Sequence, residues 1–210
     1  RAARTSAIGS VASHLFHGLK NPLAGLKTYL RVTAGDEEVL AITDRMQSLI
    51  EESLAVIREE NTASRSTLTV AQFAELARQR LTPDPGTTGR LRINTNGEAE
   101  IPAHRAQLLL LIIRNLTENA LEASGPSQPV DVDLEAAGES LNIRIRDRGP
   151  GLPGSVREHL FEPVTSHKPT GTGISLAISA ILARHVPADL ILDSSDETGT
   201  TFKLSASLTL

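Results

Sequence analysis

Two neighbouring segments of opposite charge limit the folds open to this chain more than any other feature of its sequence. Residues 1–35 hold five basic side chains and no acidic one, whereas residues 36–60 hold eight acidic side chains against two arginines. Apolar residues recur in both segments at intervals of three and four, the spacing that places them along one face of a helix. The sequence therefore predicts two long amphipathic helices packed as an antiparallel hairpin.

This hairpin also predicts a partner. A pair of amphipathic helices leaves one apolar stripe uncovered, and a second copy of the chain would cover it in a four-helix bundle. We therefore expect a homodimer formed through residues 1–62. The negative charge of residues 36–60 can offset the positive charge of residues 1–35 when the two helices pack together. The basic segment therefore gives no reason to expect a nucleic-acid or membrane partner.

Composition excludes several other classes of protein. The chain has 210 residues and no cysteine, which rules out disulfide scaffolds, thiol nucleophiles and iron–sulfur clusters. Aromatic residues make up 2%, too few for the stacking platforms that bind single-stranded nucleic acid. The longest apolar run, Leu108 to Ile113, is far shorter than the roughly 20 residues that cross a bilayer. We expect a cytoplasmic fragment of a longer protein, since the sequence opens on Arg1 with no initiator methionine.

The second part of the chain, residues 66–210, alternates between strand and helix patterns. Polar residues 61–69 predict a linker that leads into a short strand. Beyond the linker, periodicity predicts helices at 70–81, 103–124 and 174–185, and strands at 90–95, 130–136, 141–146, 190–193 and 201–206. Two pairs of these strands have the spacing of hairpins, so the sheet is not fully parallel. We expect an α+β two-layer sandwich.

His17 lies in the first predicted helix beside two residues that weaken a helix. Gly18 costs about 1 kcal/mol relative to alanine, and Pro22 lacks the N–H that would bond the carbonyl of Gly18. His17 is two residues from Leu15 and from Leu19, about 200° around the helix from each, so it should face away from the bundle core. Taken alone, this segment is more simply a surface histidine beside a tolerated bend.

Three blocks have the chemistry of a nucleotide site. Asn115 and Asn119 lie four residues apart on one helix face, and amide oxygens can complete the shell of a magnesium ion bound to triphosphate. Asp147 follows a strand, where a carboxylate can accept the amine of adenine while glycines at 149 and 151 let backbone approach the ring. Residues 170–174 open a helix whose free N–H groups favour phosphate. Each block alone is commonly structural, but their order and spacing are hard to produce by accident.

Together these residues resemble sensor histidine kinases over nearly the whole chain. The matching sequence boxes stand in that family's order: the H box at His17–Leu23, the N box at Asn115–Asn119, the G1 box at Asp147-x-Gly149-x-Gly151, the F box at Leu160–Pro163, the G2 box at Gly171-x-Gly173 and the closing strand at Gly199–Phe202. The resemblance implies a dimerisation and histidine-phosphotransfer hairpin, residues 1–62, followed by a Bergerat-type ATP-binding domain of the GHKL superfamily, residues 66–210.

The resemblance also implies an activity and roles for individual residues. In this family a histidine attacks the γ-phosphate of Mg-ATP, and the phosphoryl group then passes to an aspartate of a response-regulator receiver domain. His17 would be the nucleophile, which requires a neutral imidazole. Asn119 would bind Mg²⁺ with Asn115 nearby, and Asp147 would bind adenine with help from Thr201. The remaining nucleotide contacts would come from Gly149, Gly151, Lys168, Gly171, Thr172, Gly173 and Ile174.

The chain departs from the family at two positions. Gly18 stands where the family usually has the acid that helps to deprotonate the histidine, and general-base help of this kind is worth about 100-fold or more. The same acid pairs with Asn21 in the family's phosphatase pattern, so both activities are expected to be weak. Ser175 replaces the usual third glycine of the G2 box, and because serine is small and favoured at helix starts, we expect nucleotide binding to survive.

Two alternatives stay open. In the first, the chain is a nucleotide-sensing phosphotransfer module with weak or no autokinase activity. In the second, it is another GHKL machine, such as a mismatch-repair or topoisomerase ATPase clamp. Those clamps usually carry a catalytic glutamate where Asn115 stands, and they do not account for the His17 hairpin.

Overall fold

The computed structural model describes residues 47, 48, 50, 51, 66–81, 89–161 and 175–209. The predicted hairpin, with its four-helix bundle and dimer contact, therefore lies almost wholly outside the described residues. Gln47, Ser48, Ile50 and Glu51 are helical, in the second of the two segments predicted to be helices.

The rest of the described chain contains four helices and seven strands. In chain order they are β1 (Thr67–Thr69), α1 (Val70–Leu81), β2 (Leu91–Asn96), β3 (Glu100–Pro102), α2 (Ala103–Ala123), β4 (Val130–Ala137), β5 (Ser140–Arg146), α3 (Gly154–Glu158), α4 (Ser175–His185), β6 (Ala188–Asp196) and β7 (Gly199–Ser207). The three long helices and the five strands expected from periodicity are all present, within a few residues of their predicted ends. Strand β3 and helix α3, with three and five residues, were not predicted.

A mixed five-stranded sheet forms one layer of the sandwich. Its strand order is β2-β4-β5-β7-β6, and β1 and β3 form a separate two-stranded sheet. Strands β2 and β4 are parallel, while the other neighbours are antiparallel. The prediction that the sheet is not fully parallel is confirmed.

The helices cover one face of this sheet. Residues that alternate along the central strands are buried beneath them: Val130, Val132, Leu134, Leu141, Ile143, Ile145, Phe202, Leu204 and Ala206. The opposite face carries charged neighbours, with Asp131 beside Arg146 and Asp133 beside Arg144. Helix α2 contacts β4 and β5 on one side and α4 on another. Helix α2 is therefore the central helix of the sandwich.

Arg90 holds the C-terminal end of α2. Its guanidinium donates to the carbonyl oxygens of Leu121 and Gly125, both at 3.0 Å, and to that of Gln128 at 3.2 Å. Carbonyl groups at a helix C-terminus have no partner within the helix, and a cation there also interacts favourably with the helix dipole.

Replacing Arg90 by alanine is expected to lower the free energy of unfolding by about 2 kcal/mol, because several partly buried carbonyls lose their donor together. Urea denaturation followed by circular dichroism measures the change. Arg92→Ala is the matched control: Arg92 is exposed on β2, and its loss should change stability by less than about 0.5 kcal/mol. Equal losses in both variants would contradict the capping role.

Candidate functional site

Two amides on α2 meet two hydroxyls on α4. The Oγ atom of Ser175, the first residue of α4, lies 3.3 Å from both Nδ2 and Oδ1 of Asn119. One turn further along α4, Ser179 Oγ lies 3.5 Å from Nδ2 of Asn115. The spacing of four residues on each helix produces this double pairing, because residues four apart share a helix face. Asn115 and Asn119 thus lie on the face of α2 that meets the start of α4.

The amide oxygen of Asn115 has fewer hydrogen-bond partners than that of Asn119. Asn115 is 1% exposed, and its Oδ1 has no hydrogen-bond partner among the described residues. A buried acceptor without a partner costs about 1–3 kcal/mol, so such an atom in a folded protein points to a water or an ion. Among the residues that the structure describes, no group of three His, Cys, Asp or Glu side chains could hold a metal. This donor set fits Mg²⁺, which commonly takes few protein oxygens and completes its shell with phosphate and water.

Asp147 is a buried carboxylate fixed at the end of β5. It is 4% exposed, and its Oδ1 accepts the backbone N–H groups of Gly149 at 2.8 Å and Thr200 at 3.0 Å. Its own N–H donates to the carbonyl of Thr200 at 2.9 Å. No described residue donates to Oδ2. One oxygen is therefore used to hold the carboxylate in place, and the other stays available to an amine donor.

The glycines of the Asp147 loop pack against the protein's own backbone. A Cβ atom on Gly149 would lie 2.7 Å from the carbonyl oxygen of Ala123, at the end of α2. Gly151 has a φ of +77°, and a Cβ there would overlap the carbonyl oxygen of Asp196 at the end of β6. The approach of an adenine ring to these glycines stays a prediction. The structure adds a second requirement for them, because their close partners are α2 and the β6–β7 turn.

Thr200 contacts Asp147 through its backbone N–H and carbonyl oxygen, and the role of Thr201 at adenine stays a prediction. Side chains alternate between the faces of a strand, and Phe202 belongs to the buried core face of β7. Thr201 therefore belongs to the opposite face, where its cross-strand partner is Arg146. Thr200, like Phe202, therefore lies on the helix-covered face of β7.

Arg148, for which no role was predicted, ties the same loop to the sheet. Its guanidinium donates to Asp131 Oδ2 and to the carbonyl of Pro129, both at 2.6 Å. Its backbone N–H donates to Ser124 Oγ at 3.2 Å, just beyond α2. The signal for this role is a basic residue between Asp147 and Gly149, which is visible in the sequence only once the neighbouring strand is known.

Several predicted site residues lie outside the described residues, and their roles stay predictions. They are His17, Asn21, Lys168, Gly171, Thr172, Gly173 and Ile174. None of the helices in the described ranges has the length and hydrophobicity of a membrane-spanning helix.

Comparison with known proteins identifies the family of the fold. The family model for the histidine kinase-, DNA gyrase B- and HSP90-like ATPases matches residues 104–210, about half of the chain. The chain belongs to this ATPase family, and the predicted Bergerat-type α+β sandwich is confirmed.

Individual relatives narrow the comparison to sensor kinases. Sporulation kinase A of Bacillus subtilis (strain 168) is 25% identical over 98% of this chain and 35% of its own length. The sensory histidine kinase/phosphatase NtrB of Rhizobium meliloti (strain 1021) is 29% identical over 97% of this chain and 59% of its own length. The chain thus spans only part of these proteins.

Solved structures agree on the fold. The mycobacterial sensor histidine kinase MprB superposes with a TM-score of 0.56 at 19% identity, covering 68% of this chain and 97% of that one. Full-length ShkA in complex with AMPPNP also gives 0.56, at 18% identity, covering 95% of this chain and 46% of that one.

Proposed function

We propose that this chain is the kinase core of a two-component sensor protein. It binds Mg-ATP in the sandwich, transfers the γ-phosphoryl group to His17, and passes that group to an aspartate of a response-regulator receiver domain. The observation that carries the proposal is the half-satisfied carboxylate of Asp147, with one oxygen fixed by two N–H groups and the other available, within a fold that belongs to an ATPase family.

The extent of the similarity favours a kinase over an ATPase clamp. The sensor-kinase relatives match 97–98% of the chain, which includes the segment around His17 and not the ATP-binding part alone. At the position where clamps usually carry a catalytic glutamate, this chain has the buried amide of Asn115, paired with Ser179. An amide cannot act as a general base toward water, so phosphoryl transfer to another acceptor fits better than hydrolysis.

Each residue has a distinct part in the proposed reaction. Asp147 Oδ2 accepts the exocyclic amine and orients adenine. Asn119 Oδ1, with Asn115 one turn away, would hold Mg²⁺. The bound ion would offset the negative charge of the phosphates. Lys168 and the N–H groups of residues 171–174 would hold the phosphate oxygens.

The transfer step itself takes place at the imidazole of His17. A ring nitrogen forms the N–P bond as the bond between the γ-phosphorus and the ADP oxygen breaks, and ADP leaves with that electron pair. The proton on the other ring nitrogen needs an acceptor, which Gly18 does not supply. The proposed enzyme is therefore a slow autokinase, and the missing acid also leaves Asn21 without its partner for dephosphorylating a receiver domain.

Assembly and location complete the proposal. A homodimer forms through residues 1–62, and the residues of this chain contact neither nucleic acid nor membrane. We place this part of the protein in the cytoplasm, where ATP and receiver domains are available.

Labelling with γ-labelled ATP and Mg²⁺ tests the proposal. We expect an acid-labile, base-stable label on the wild-type chain that is absent from His17→Gln, because an N–P bond to imidazole breaks in acid. His14→Gln is the matched control on the same segment and should keep its label. Label that persists in His17→Gln would overturn the assignment of the nucleophile.

The alternative function is a nucleotide-sensing phosphotransfer module, and Gly18 is the observation that favours it. A wild-type chain that binds ATP but takes no label would support that alternative. A Gly18→Glu variant separates the two further, because it should label faster than wild type if the missing acceptor limits the rate. An unchanged or lower rate would remove the argument based on Gly18.

A further inference from the structure

Ser175 contacts the amide that the proposed function assigns to magnesium. Its Oγ is 3.3 Å from both amide atoms of Asn119. Ser175 stands where the resembled G2 box usually has its third glycine, so its hydroxyl departs from that pattern. The side chain of Asn119 makes no other hydrogen bond to a described residue. Ser175 is therefore the side chain in a position to decide which way the amide of Asn119 faces.

The chemistry of the two groups determines which orientation is useful. A magnesium ligand must present Oδ1, and the NH₂ group repels a cation, so the amide has one productive orientation. The Ser175 hydroxyl can donate to Oδ1 or accept from Nδ2, since it lies 3.3 Å from each. When it accepts from Nδ2, it leaves both lone pairs of Oδ1 for an ion. Partners of this kind around a metal ligand commonly affect metal affinity as much as tenfold or more.

The position of Ser175 is itself fixed by its neighbours. Ser179 Oγ donates to the carbonyl oxygen of Ser175 at 2.8 Å and also lies within reach of Asn115 Nδ2. Asn115, Ser179, Ser175 and Asn119 thus form one continuous run of contacts between α2 and α4. The hydrogen bond from Ser179 fixes the backbone of Ser175, which limits the positions that its hydroxyl can take beside Asn119.

We propose that Ser175 is a positioning residue for the magnesium ligand Asn119: of the two hydrogen bonds open to its hydroxyl, the one accepted from Nδ2–H leaves Oδ1 to the ion. This inference rests on the proposed function, because it concerns the ion that accompanies the nucleotide. It predicts that the loss of the hydroxyl weakens the response to Mg²⁺ and leaves the rest of nucleotide binding intact.

Fluorescence titration of the chain with an ATP analogue, in EDTA and over a range of Mg²⁺ concentrations, tests this. Ser175→Ala is expected to raise the Mg²⁺ concentration for half-maximal enhancement of binding about three- to tenfold, and to leave affinity in EDTA unchanged. Ser205→Ala is the matched control, because it removes another serine–asparagine hydrogen bond, to Asn142 at 2.9 Å, on the far face of the sheet. It should change neither quantity.

A second substitution separates orientation from packing. Ser175→Thr keeps the hydroxyl and should restore the wild-type response to Mg²⁺, whereas Ser175→Gly should behave like Ser175→Ala. Equal Mg²⁺ responses in wild type and Ser175→Ala, or a loss that is the same in EDTA, would overturn the role of Ser175 alone. A wild-type chain that binds no nucleotide would instead overturn the proposed function, and the inference with it.

Discussion

Asp147→Asn is expected to weaken binding of an ATP analogue by about 100-fold, or about 3 kcal/mol, while the domain stays folded. Asparagine keeps Oδ1, which accepts the N–H groups of Gly149 and Thr200. It replaces Oδ2 by an NH₂ group, which cannot accept the amine of adenine and places a donor against a donor. Fluorescence polarisation with a labelled ATP analogue measures the affinity, and urea denaturation measures the fold.

Two further variants separate the loss of adenine binding from a loss of stability and from the chemical change itself. Asp147→Ala leaves both N–H groups without an acceptor in a buried place, so it should also lower the free energy of unfolding by about 3 kcal/mol. Asp133→Asn makes the same chemical change on an exposed residue of β4 and should leave affinity unchanged. Binding by Asp147→Asn as tight as that of wild type would show that adenine is recognised elsewhere.

Gly151→Ala is expected to lower the free energy of unfolding by about 4 kcal/mol. Alanine pays about 1–2 kcal/mol for a left-handed backbone, and its Cβ would displace the Asp196 carbonyl, which adds the cost of overpacking. Gly138→Ala is a closely matched control, because Gly138 has a φ of +60° and no atom within 4 Å of the added Cβ. That variant should lose only about 1 kcal/mol.

The difference in stability between Gly151→Ala and Gly138→Ala shows whether Gly151 is required for its contact with β6 or only for its backbone conformation. If contact with β6 sets the requirement, urea midpoints should fall far more for Gly151→Ala than for Gly138→Ala, with or without nucleotide. Similar losses at both positions would mean that backbone conformation alone matters and that the Asp196 contact yields easily. The turn that carries this contact is well held, since the Thr198 hydroxyl and N–H both donate to Asp196 Oδ1 and lower the pKa of that carboxyl.

Local patterns in the sequence were enough to predict the helices and strands of the two-layer sandwich. The apolar runs of α2 and the alternation in β4 and β5 are properties of neighbouring residues, so periodicity predicted them. Strand β3 and helix α3 were missed because three and five residues are too few to show a period.

The sequence predicted which residues belong to the candidate site better than it predicted which of them contact each other. The sequence identified Asn115, Asn119 and Asp147, and the fold places each at an end or face where its polar atoms meet another element. It did not predict that the backbone of Thr200 contacts Asp147, because a motif does not specify the register between two strands. Nor did it predict the pairing of Ser175 with Asn119, which depends on how α4 lies against α2.

The row of contacts along one side of α2 limits where residues can be inserted into or deleted from proteins of this family. Asn115, Asn119 and Ala123 follow one another every four residues, about 6 Å apart along the axis, and they meet Ser179, Ser175 and Gly149 in turn. One residue inserted between them would rotate everything downstream by about 100° and separate the two ends of the site. Insertions and deletions should therefore be tolerated in the connections between elements and selected against within this helix, even where single substitutions are accepted.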